Sequence, residues 1–369
     1  MADLAEAVAE LARDLVAIDS RSFVSNLAIA DRVEAALSGF EIERLDYTDP
    51  AGIAKRALVA HRGPMGGLVL SGHMDTVPDT GWQDDPWSGR IQDGVLHGLG
   101  STDMKGPVAA AIVAARTLPE SVPISLAITT DEETSKAGAR EIAQSSELLR
   151  RVKPAAILVA EPTGMRPVRG HRSHINFTAV ATGIQAHSST GRGRNANWVL
   201  LPFLIEMRAI HDRLRSEPGL QDAAYDPVFS DFNLVIDNHG TAVNVTVPKA
   251  TARVKYRYSA RIDPAPILQA VREAAARIGV SVTEEGEGAP PELAEDHPLI
   301  RLCAELTGKD PTTAPYGTDA SELQDLAPCV VLGPGDIGVA HAPGETVQLE
   351  DLTKAIPVFM RLAEKIVQL

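Results

Sequence analysis

The chain has little of several features that would place it in a narrow class. Its 369 residues include only two cysteines, Cys303 and Cys329, too few for a disulfide framework and without the paired spacing of a thiolate zinc site. Lys and Arg number 35 against 49 Asp and Glu, and the resulting formal charge of −14 disfavours nucleic acids and anionic membranes as partners, because phosphate binding needs clustered basic residues. No apolar run approaches the roughly 18 residues of a membrane span, so none is expected.

The length and the N-terminal segment give expectations for the number of domains and the location of the protein. A chain of this size exceeds the usual limit of one hydrophobic core, so we expect two domains or one domain with a large insertion. Residues 1–15 mix acids into an apolar spacing of i, i+3 and i+4, which predicts an amphipathic helix and not a secretory signal. Together with the low cysteine content, this pattern predicts a cytoplasmic protein.

The pattern along the chain changes character twice. Its first and last parts alternate between apolar runs and amphipathic helices, which predicts an α/β core, whereas the middle has half-polar strands typical of an antiparallel sheet. A Gly-, Pro- and Glu-rich stretch at 284–292 predicts a domain boundary. The predicted helices lie near 3–18, 106–117, 136–148, 195–214, 297–307 and 350–368, and the predicted strands near 66–70, 124–129, 174–181, 241–248, 251–258 and 329–332.

Several groups of potential metal ligands directly follow apolar runs. Leu68-Val-Leu70 leads to His73, Ile124–Ile128 leads to Asp131-Glu-Glu133, and Ala156–Ala160 leads to Glu161. Such runs are typical of buried parallel strands, and open α/β sheets place their chemistry at the carboxyl ends of these strands. Imidazole and carboxylate ligands without thiolates suit zinc or a similar divalent ion. The sequence therefore predicts a metal site at this edge.

Taken singly, each residue also has an ordinary structural interpretation. His73 could be a surface histidine beside a turn, although Asp75 two positions later could fix a metal-bound imidazole. Asp103, between Gly100 and Gly106, could simply form a turn. Adjacent Glu132 and Glu133 could be a solvated acidic turn before a helix.

Later ligands complete a candidate two-metal site. Glu161 precedes Pro162, which restricts its backbone, and His341 follows the apolar run at 329–332 and a glycine-rich loop. Two imidazoles with carboxylates between them would suffice for two metals about 3.5 Å apart that share a carboxylate, an arrangement suited to metal-assisted hydrolysis.

Together these motifs resemble the two-zinc aminoacylases and exopeptidases, a family that includes acetylornithine deacetylase, succinyl-diaminopimelate desuccinylase and glutamate-type carboxypeptidases. The resemblance covers nearly the whole chain. It implies an α/β fold, with a mixed sheet and flanking helices forming a di-metal catalytic domain at 1–170 and 284–369. It also implies an inserted α+β lid and dimerisation domain at 171–283, and hence a homodimer.

The resemblance assigns a role to each motif. Gly72-His-Met-Asp-Thr-Val-Pro78 makes His73 a metal ligand supported by Asp75, and Gly98–Gly106 makes Asp103 the bridging carboxylate. Asp131-Glu-Glu-Thr134 makes Glu132 the general base and Glu133 a ligand of the other metal. Glu161 and His341 are implied as the remaining ligands. The implied cofactors are two divalent ions, zinc first and cobalt as the alternative.

The motifs are most similar to the acetylornithine deacetylase branch, through Asp131–Arg140, Glu161–Arg169, Gly317–Ala320 and Val330–Gly335. In the inserted segment the resemblance implies that His187 contacts the developing oxyanion. The implied substrate-binding residues are Asn244, Arg257 and Thr318. Without the resemblance to the family, His187 and Arg257 would be interpreted as ordinary solvated polar residues.

Three positions depart from the family pattern. Ala186 stands where the family has a glycine before the histidine, here His187. Lys255 stands where the family usually has an acid, and Asp319 stands where it often has a glutamate. None of them is a metal ligand, so they leave hydrolysis in place and put the identity of the acyl amino acid in question.

The resulting expectation is hydrolysis of the amide of an N-acyl amino acid, foremost N-acetylornithine in arginine biosynthesis. Glu132 would take a proton from the attacking water and pass it to the leaving amine. A desuccinylase, a dipeptidase or a carboxypeptidase with the same site is the alternative within the enzyme class. A catalytically inactive ligand-binding relative is the alternative outside it, and the complete set of ligands and base argues against that reading.

Overall fold

The computed structural model describes residues 2–367, and they fall into two compact units. Unit 1 comprises residues up to Gly170, Pro291–Thr312 and the residues from Thr318 onward, and unit 2 comprises His171–Pro290 and Thr313–Gly317. None of the helices within 2–367 is both long enough and apolar enough to cross a membrane. The strands are β1 (Glu41–Thr48), β2 (Ala54–Arg62), β3 (Leu68–His73), β4 (Arg90–Gln92), β5 (Val95–His97), β6 (Ile124–Thr129), β7 (Ala156–Val159), β8 (Val168–His171), β9 (Ser173–Thr182), β10 (Asp231–Asp237), β11 (Lys249–Tyr258), β12 (Ser281–Gly286), β13 (Thr312–Ala314), β14 (Cys329–Val331) and β15 (Thr346–Gln348).

The helices alternate with these strands in the first part of the chain and flank them in the rest. They are α1 (Ala2–Val16), α2 (Leu27–Ala35), α3 (Lys105–Thr117), α4 (Ala137–Ser145), α5 (Glu147–Val152), α6 (Ala196–Ser216), α7 (Ala265–Ile278), α8 (Pro298–Thr307), α9 (Ala320–Leu323) and α10 (Leu349–Ile366). The C-terminal helix was predicted to continue to 368, which lies outside the described residues.

Unit 1 contains the strands β1-β2-β6-β3-β7-β14-β8 of a mixed sheet, in that order. Strands β6, β3, β7 and β14 pair in parallel, while β1 and β2 join this set in antiparallel. The predicted α/β class with a mixed sheet and flanking helices is confirmed. Strands β3, β6 and β7 are buried along their whole length, as their continuous apolar sequences predict.

Helix α3 packs closely against β3 at a glycine. An added Cβ at Gly72 would lie 2.6 Å from Met104 Cε and 2.7 Å from Val108 Cγ2, so a larger residue here would require these two side chains to shift. Helix α3 is almost entirely buried, and apolar residues of α1, α3 and α10 share one core with those of the central strands. This packing fixes the position of His73, which directly follows Gly72.

Unit 2 contains an antiparallel sheet of order β10-β11-β9-β12, whose apolar side packs with α6 and α7 around a second core. Two details differ from the sequence expectation. The strand predicted near 241–248 is absent, with Val243 fully exposed, and β10 lies at 231–237 instead. The stretch predicted as a connection at 284–292 begins within β12, and residues 284–290 cluster with unit 2.

Candidate active site

The candidate ligands of unit 1 come from strand ends that meet at one edge of the sheet. His73 is the last residue of β3, Glu133 follows β6 by four positions, and Glu161 follows β7 by two. Since β6, β3 and β7 are adjacent and parallel, their carboxyl ends lie side by side. Asp103 precedes α3, and His341 lies in the loop between β14 and β15.

His73 is buried, with an exposed fraction of 1%, and both ring nitrogens have defined neighbours. Nδ1 lies 3.0 Å from the Asp75 carbonyl oxygen, so this nitrogen carries the proton and donates it. Nε2 lies 3.1 Å from Asp103 Oδ1 and 3.7 Å from Glu161 Oε1. This arrangement leaves the Nε2 lone pair directed at the carboxylates, as a metal-binding imidazole requires.

Asp103 faces a different histidine with each carboxylate oxygen. Oδ1 lies near His73 Nε2, and Oδ2 lies 3.2 Å from His341 Nε2, which is also 2.9 Å from Glu133 Oε1. Within the described part of the chain, two sets of potential ligands have atoms within 4.8 Å of one another: His73, Asp103 and Glu133, and His73, Glu132 and Glu161. A carboxylate with its two oxygens turned to two imidazoles is arranged as a bridge between two cations would be.

The electrostatics of this cluster also favour bound cations. Burial raises the pKa of Glu133 to about 8 and, with the nearby Asp103 charge, raises the pKa of Glu161 well above its ordinary value. Hydrogen bonds to Asp103 and Glu133 raise the pKa of His341 to about 11. Buried acids that repel one another and stabilise a protonated imidazole create a strongly negative field. The donors are nitrogen and oxygen atoms, so the residues fit divalent ions such as zinc.

Asp75 links His73 to the turn that carries the candidate base. Its Oδ1 accepts a hydrogen bond from Glu132 N at 3.2 Å, and its Oδ2 accepts one from Glu133 N at 3.3 Å. Ser22 Oγ donates to the same Oδ2 at 2.8 Å. Asp75 is fully buried, and its carboxylate also lies 3.4 Å from His73 Nδ1, so this one residue contacts the imidazole and both glutamate backbones. No motif marks Ser22 in the sequence, and only the tertiary contact identifies it.

The turn before Glu132 is fixed by a second set of contacts that the sequence did not reveal. Asp131 has a φ of 61°, a left-handed conformation that is unusual for a side chain larger than glycine. Lys55 Nζ lies 2.7 Å from its Oδ1, and Tyr47 OH donates to its Oδ2 at 2.7 Å. Both partners come from the antiparallel strands β1 and β2, which carry no catalytic motif. These contacts hold the turn that presents Glu132 and Glu133.

The side chain of Glu132 is mostly buried but remains partly accessible to solvent. Its side chain is 11% exposed, and Lys136 Nζ lies 3.8 Å from its Oε1. Burial raises the pKa of Glu132, which favours its protonated form more than in water. Lys136 Nζ also donates to the Thr318 carbonyl oxygen at 2.9 Å. A mostly buried carboxyl group beside a group of potential metal ligands is suited to proton transfer.

Thr318 and Asp319 are buried in unit 1. Thr318 Oγ1 accepts a hydrogen bond from the N–H of Ala320, the first residue of the short helix α9, at 3.2 Å. Asp319 Oδ2 accepts a hydrogen bond from Thr129 Oγ1, and burial raises the pKa of Asp319 to about 7. The side chain of the predicted substrate-binding Thr318 is thus engaged locally.

The three predicted residues of unit 2 are more exposed. His187 is exposed and accepts a hydrogen bond through Nδ1 from Ser189 N at 3.3 Å, while the Asn244 carbonyl accepts one from Ser188 N at 3.0 Å. His187 and Asn244 therefore lie in neighbouring segments. Arg257 on β11 donates from Nη1 to Asp231 Oδ2 at 2.9 Å, an ion pair that the sequence did not predict.

The sequence matches known proteins along most of its length. The family described as Peptidase family M20/M25/M40 matches residues 69–365. An acetylornithine deacetylase of Myxococcus xanthus is 32% identical, with 98% of each chain covered. An acetylornithine deacetylase of Proteus mirabilis (strain HI4320) is also 32% identical, with 92% of each chain covered.

Solved structures with low sequence identity share the fold. The di-peptidase Dug1p from Saccharomyces cerevisiae gives a TM-score of 0.77 at 15% identity, covering 100% of this chain and 98% of that one. The YXEP protein of Bacillus subtilis, described as a dinuclear metal binding peptidase from M20 family, gives a TM-score of 0.65 at 17% identity, with 99% of each chain covered. At these identities the likeness extends to the fold alone.

Proposed function

The chain belongs to Peptidase family M20/M25/M40, and we propose that it is a zinc-dependent deacetylase that hydrolyses N-acetylornithine to ornithine and acetate. The main support for this proposal is that Asp103 lies between His73 and His341, with Glu132 and Glu133 on the turn beside them. The choice of N-acetylornithine is supported by the 32% identity to two acetylornithine deacetylases over nearly the whole chain. Arginine biosynthesis is the pathway that this reaction implies.

The proposed metal ligands divide into two sets that share Asp103. His73 and Glu161 would hold one ion, and Glu133 and His341 the other. The chemistry that bound ions supply in such a site is polarisation of the amide carbonyl and acidification of a water molecule. Zinc is proposed because the ligands are nitrogen and oxygen atoms, and cobalt is the alternative.

The protein's own contribution begins with proton transfer. Glu132 accepts a proton from the attacking water and delivers it to the nitrogen of the departing amine, so the carboxylate is regenerated in each turnover. Asp75 keeps both His73 and the Glu132 backbone in place through the contacts described above. Lys136, near Glu132, stabilises the carboxylate form of the base.

The remaining predicted residues complete the proposal. His187 is proposed to donate a hydrogen bond to the developing oxyanion, and Asn244, Arg257 and Thr318 to bind the substrate. A guanidinium such as that of Arg257 fits a substrate carboxylate through two parallel hydrogen bonds. In this chain Arg257 would have to exchange or share its bond to Asp231 in order to do so.

We also propose that the chain forms a homodimer through unit 2. Helix α6 exposes an apolar row in which Trp198, Leu201 and Ile205 are 72%, 44% and 63% exposed. The edge strand β10 exposes three consecutive apolar residues, Leu234, Val235 and Ile236. Uncovered apolar rows and edge strands are costly in water and are commonly covered by a partner.

A cytoplasmic location is the last part of the proposal. Both cysteines, Cys303 and Cys329, are free and buried, which suits a reducing compartment.

A substrate panel with metal analysis tests the proposed function. Purified protein would be freed of metal, reloaded with Zn²⁺ and assayed on N-acetylornithine, N-succinyl-diaminopimelate and dipeptides. We expect about two zinc ions per chain, and the largest kcat/KM on N-acetylornithine. Preference for the succinyl substrate or a dipeptide would replace the deacetylase assignment with that alternative. A chain that binds zinc but turns over none of these substrates would favour a ligand-binding relative.

A further inference from the structure

Glu345 is a buried acid that the proposed mechanism does not use. It lies four residues after His341, and its exposed fraction is 1%. Its two carboxylate oxygens accept three backbone hydrogen bonds from a loop more than 240 positions earlier. Oε1 accepts from Thr102 N at 2.8 Å and from Asp103 N at 2.9 Å, and Oε2 accepts from Gly100 N at 3.0 Å.

The main chain of Glu345 adds further bonds to the same region. Gly98 N donates to the Glu345 carbonyl oxygen at 3.1 Å, and Glu345 N donates to the Ala342 carbonyl oxygen at 3.2 Å. One residue thus joins the loop that carries Asp103 to the turn that follows His341. Those two side chains face each other, with Asp103 Oδ2 3.2 Å from His341 Nε2.

From this geometry we infer that Glu345 is the positioning residue of the metal centre, fixing the Asp103 loop so that the two Asp103 oxygens face His73 and His341. The inference rests on the metal centre of the proposed function. A carboxylate suits this task because its oxygens accept hydrogen bonds and donate none, so all three N–H groups of the loop are satisfied at once. A glutamine would place an NH₂ group against at least one of them.

The inference predicts an effect on metal binding that is separate from folding. Metal-free Glu345→Gln protein should bind Zn²⁺ at least about tenfold more weakly in a chelator competition, the usual scale for a group that orients a metal ligand. Glu350→Gln is the matched control, since Glu350 is an exposed acid in the same part of the chain that bonds only to Lys354 among the described contacts. The control should bind Zn²⁺ as the wild type does. Circular dichroism and thermal unfolding without metal check that each variant folds.

A double-mutant cycle distinguishes positioning from a general structural role. If Glu345 acts through Asp103, then Asp103→Ala/Glu345→Gln should bind Zn²⁺ no more weakly than Asp103→Ala alone. Additive losses in folded protein would overturn the inference, as would an unchanged Zn²⁺ affinity in Glu345→Gln.

A more conservative substitution tests the inference if Glu345→Gln does not fold. Should Glu345→Gln not fold, Glu345→Asp enters the same cycle, because it keeps the charge but shortens the reach by one methylene group. The same two outcomes then decide the inference. A wild-type chain that binds no Zn²⁺ would remove the proposed function and this inference together, whereas normal zinc binding and turnover in folded Glu345 variants would remove only the positioning role.

Discussion

The proposed metal ligands of unit 1 contact one another, whereas His187 and Arg257 of unit 2 bond to residues that are not candidates for the site. His73, Asp103 and Glu161 have exposed fractions of 1%, 6% and 5%, and each lies within 4 Å of another member of the cluster. In unit 2, His187 is exposed and bonds to its own turn, and Arg257 pairs with Asp231 across two strands. The comparison teaches that burial preorganises His73, Asp103 and Glu161, while His341, with a side chain that is 52% exposed, and the proposed substrate-binding residues of unit 2 are open to solvent.

The largest expected effect comes from the centre of the unit 1 cluster. Asp103→Ala removes the carboxylate whose two oxygens face His73 and His341, so the chain should lose at least one zinc per chain and its hydrolysis should fall below detection. Elemental analysis and the deacetylase assay measure both effects. Asp310→Ala, an exposed acid of the same unit, is the control. Full metal content in Asp103→Ala would show that the bridge is misplaced.

The next effect separates proton transfer from metal binding within the same unit. Glu132→Gln keeps the size of the side chain but cannot accept a proton from water, so turnover should fall by about 10²-fold or more. Zinc content should stay near that of the wild type, since Glu132 is proposed as the base and not as a ligand. Glu120→Gln, at an exposed position, serves as the comparison. Wild-type turnover in Glu132→Gln would eliminate the base assignment.

A third prediction tests whether the exposed residues of unit 2 act in catalysis at all. His187→Ala should lower kcat by about 10²-fold with metal content unchanged and with a smaller effect on KM, because an oxyanion contact acts mainly in the transition state. His211→Ala, on α6 of the same unit, should leave both constants unchanged. Full activity in His187→Ala would assign the histidine a local structural role only.

The same variant can reveal a contribution across a dimer. Inactive His187→Ala chains mixed with inactive Glu132→Gln chains should regain part of the activity if the histidine of one chain serves the site of another. Absence of recovery, after exchange of subunits has been demonstrated, would exclude this version of the role.

The smallest effect concerns the support of the base turn. Tyr47→Phe removes one hydrogen bond to Asp131 and leaves the Lys55 ion pair in place, so the free energy of unfolding should fall by about 1 kcal/mol. Turnover should fall only a fewfold, since Glu132 keeps its backbone bond to Asp75. Denaturant titration and steady-state kinetics measure the two effects. A loss as large as that of Glu132→Gln would mean that Tyr47 takes part in the chemistry itself.

Local sequence patterns predicted much of the structure of unit 1. The continuous apolar sequences of β3, β6 and β7 predicted buried strands, and the proposed ligands His73, Glu133 and Glu161 lie at the ends of these strands or within four positions after them. The antiparallel pair β1 and β2 escaped prediction, because its alternation is weak in the sequence and only pairing with β6 gives it a place in the sheet. In unit 2, the alternating residues at 241–248 predicted a strand, but isolated alternation does not provide the neighbour that a strand needs.

The sequence by itself determined the chemistry that this protein can hold: two histidines, a set of carboxylates behind apolar strands, and motifs of one hydrolase family. Only the tertiary structure decided how these groups are supported. Lys55, Tyr47 and Ser22 carry no motif, and Glu345 acts on a loop more than 240 positions away. The physical reason is that ligand type is a local property of a side chain. The support of a buried charge, in contrast, depends on whichever donors the fold brings within hydrogen-bond distance.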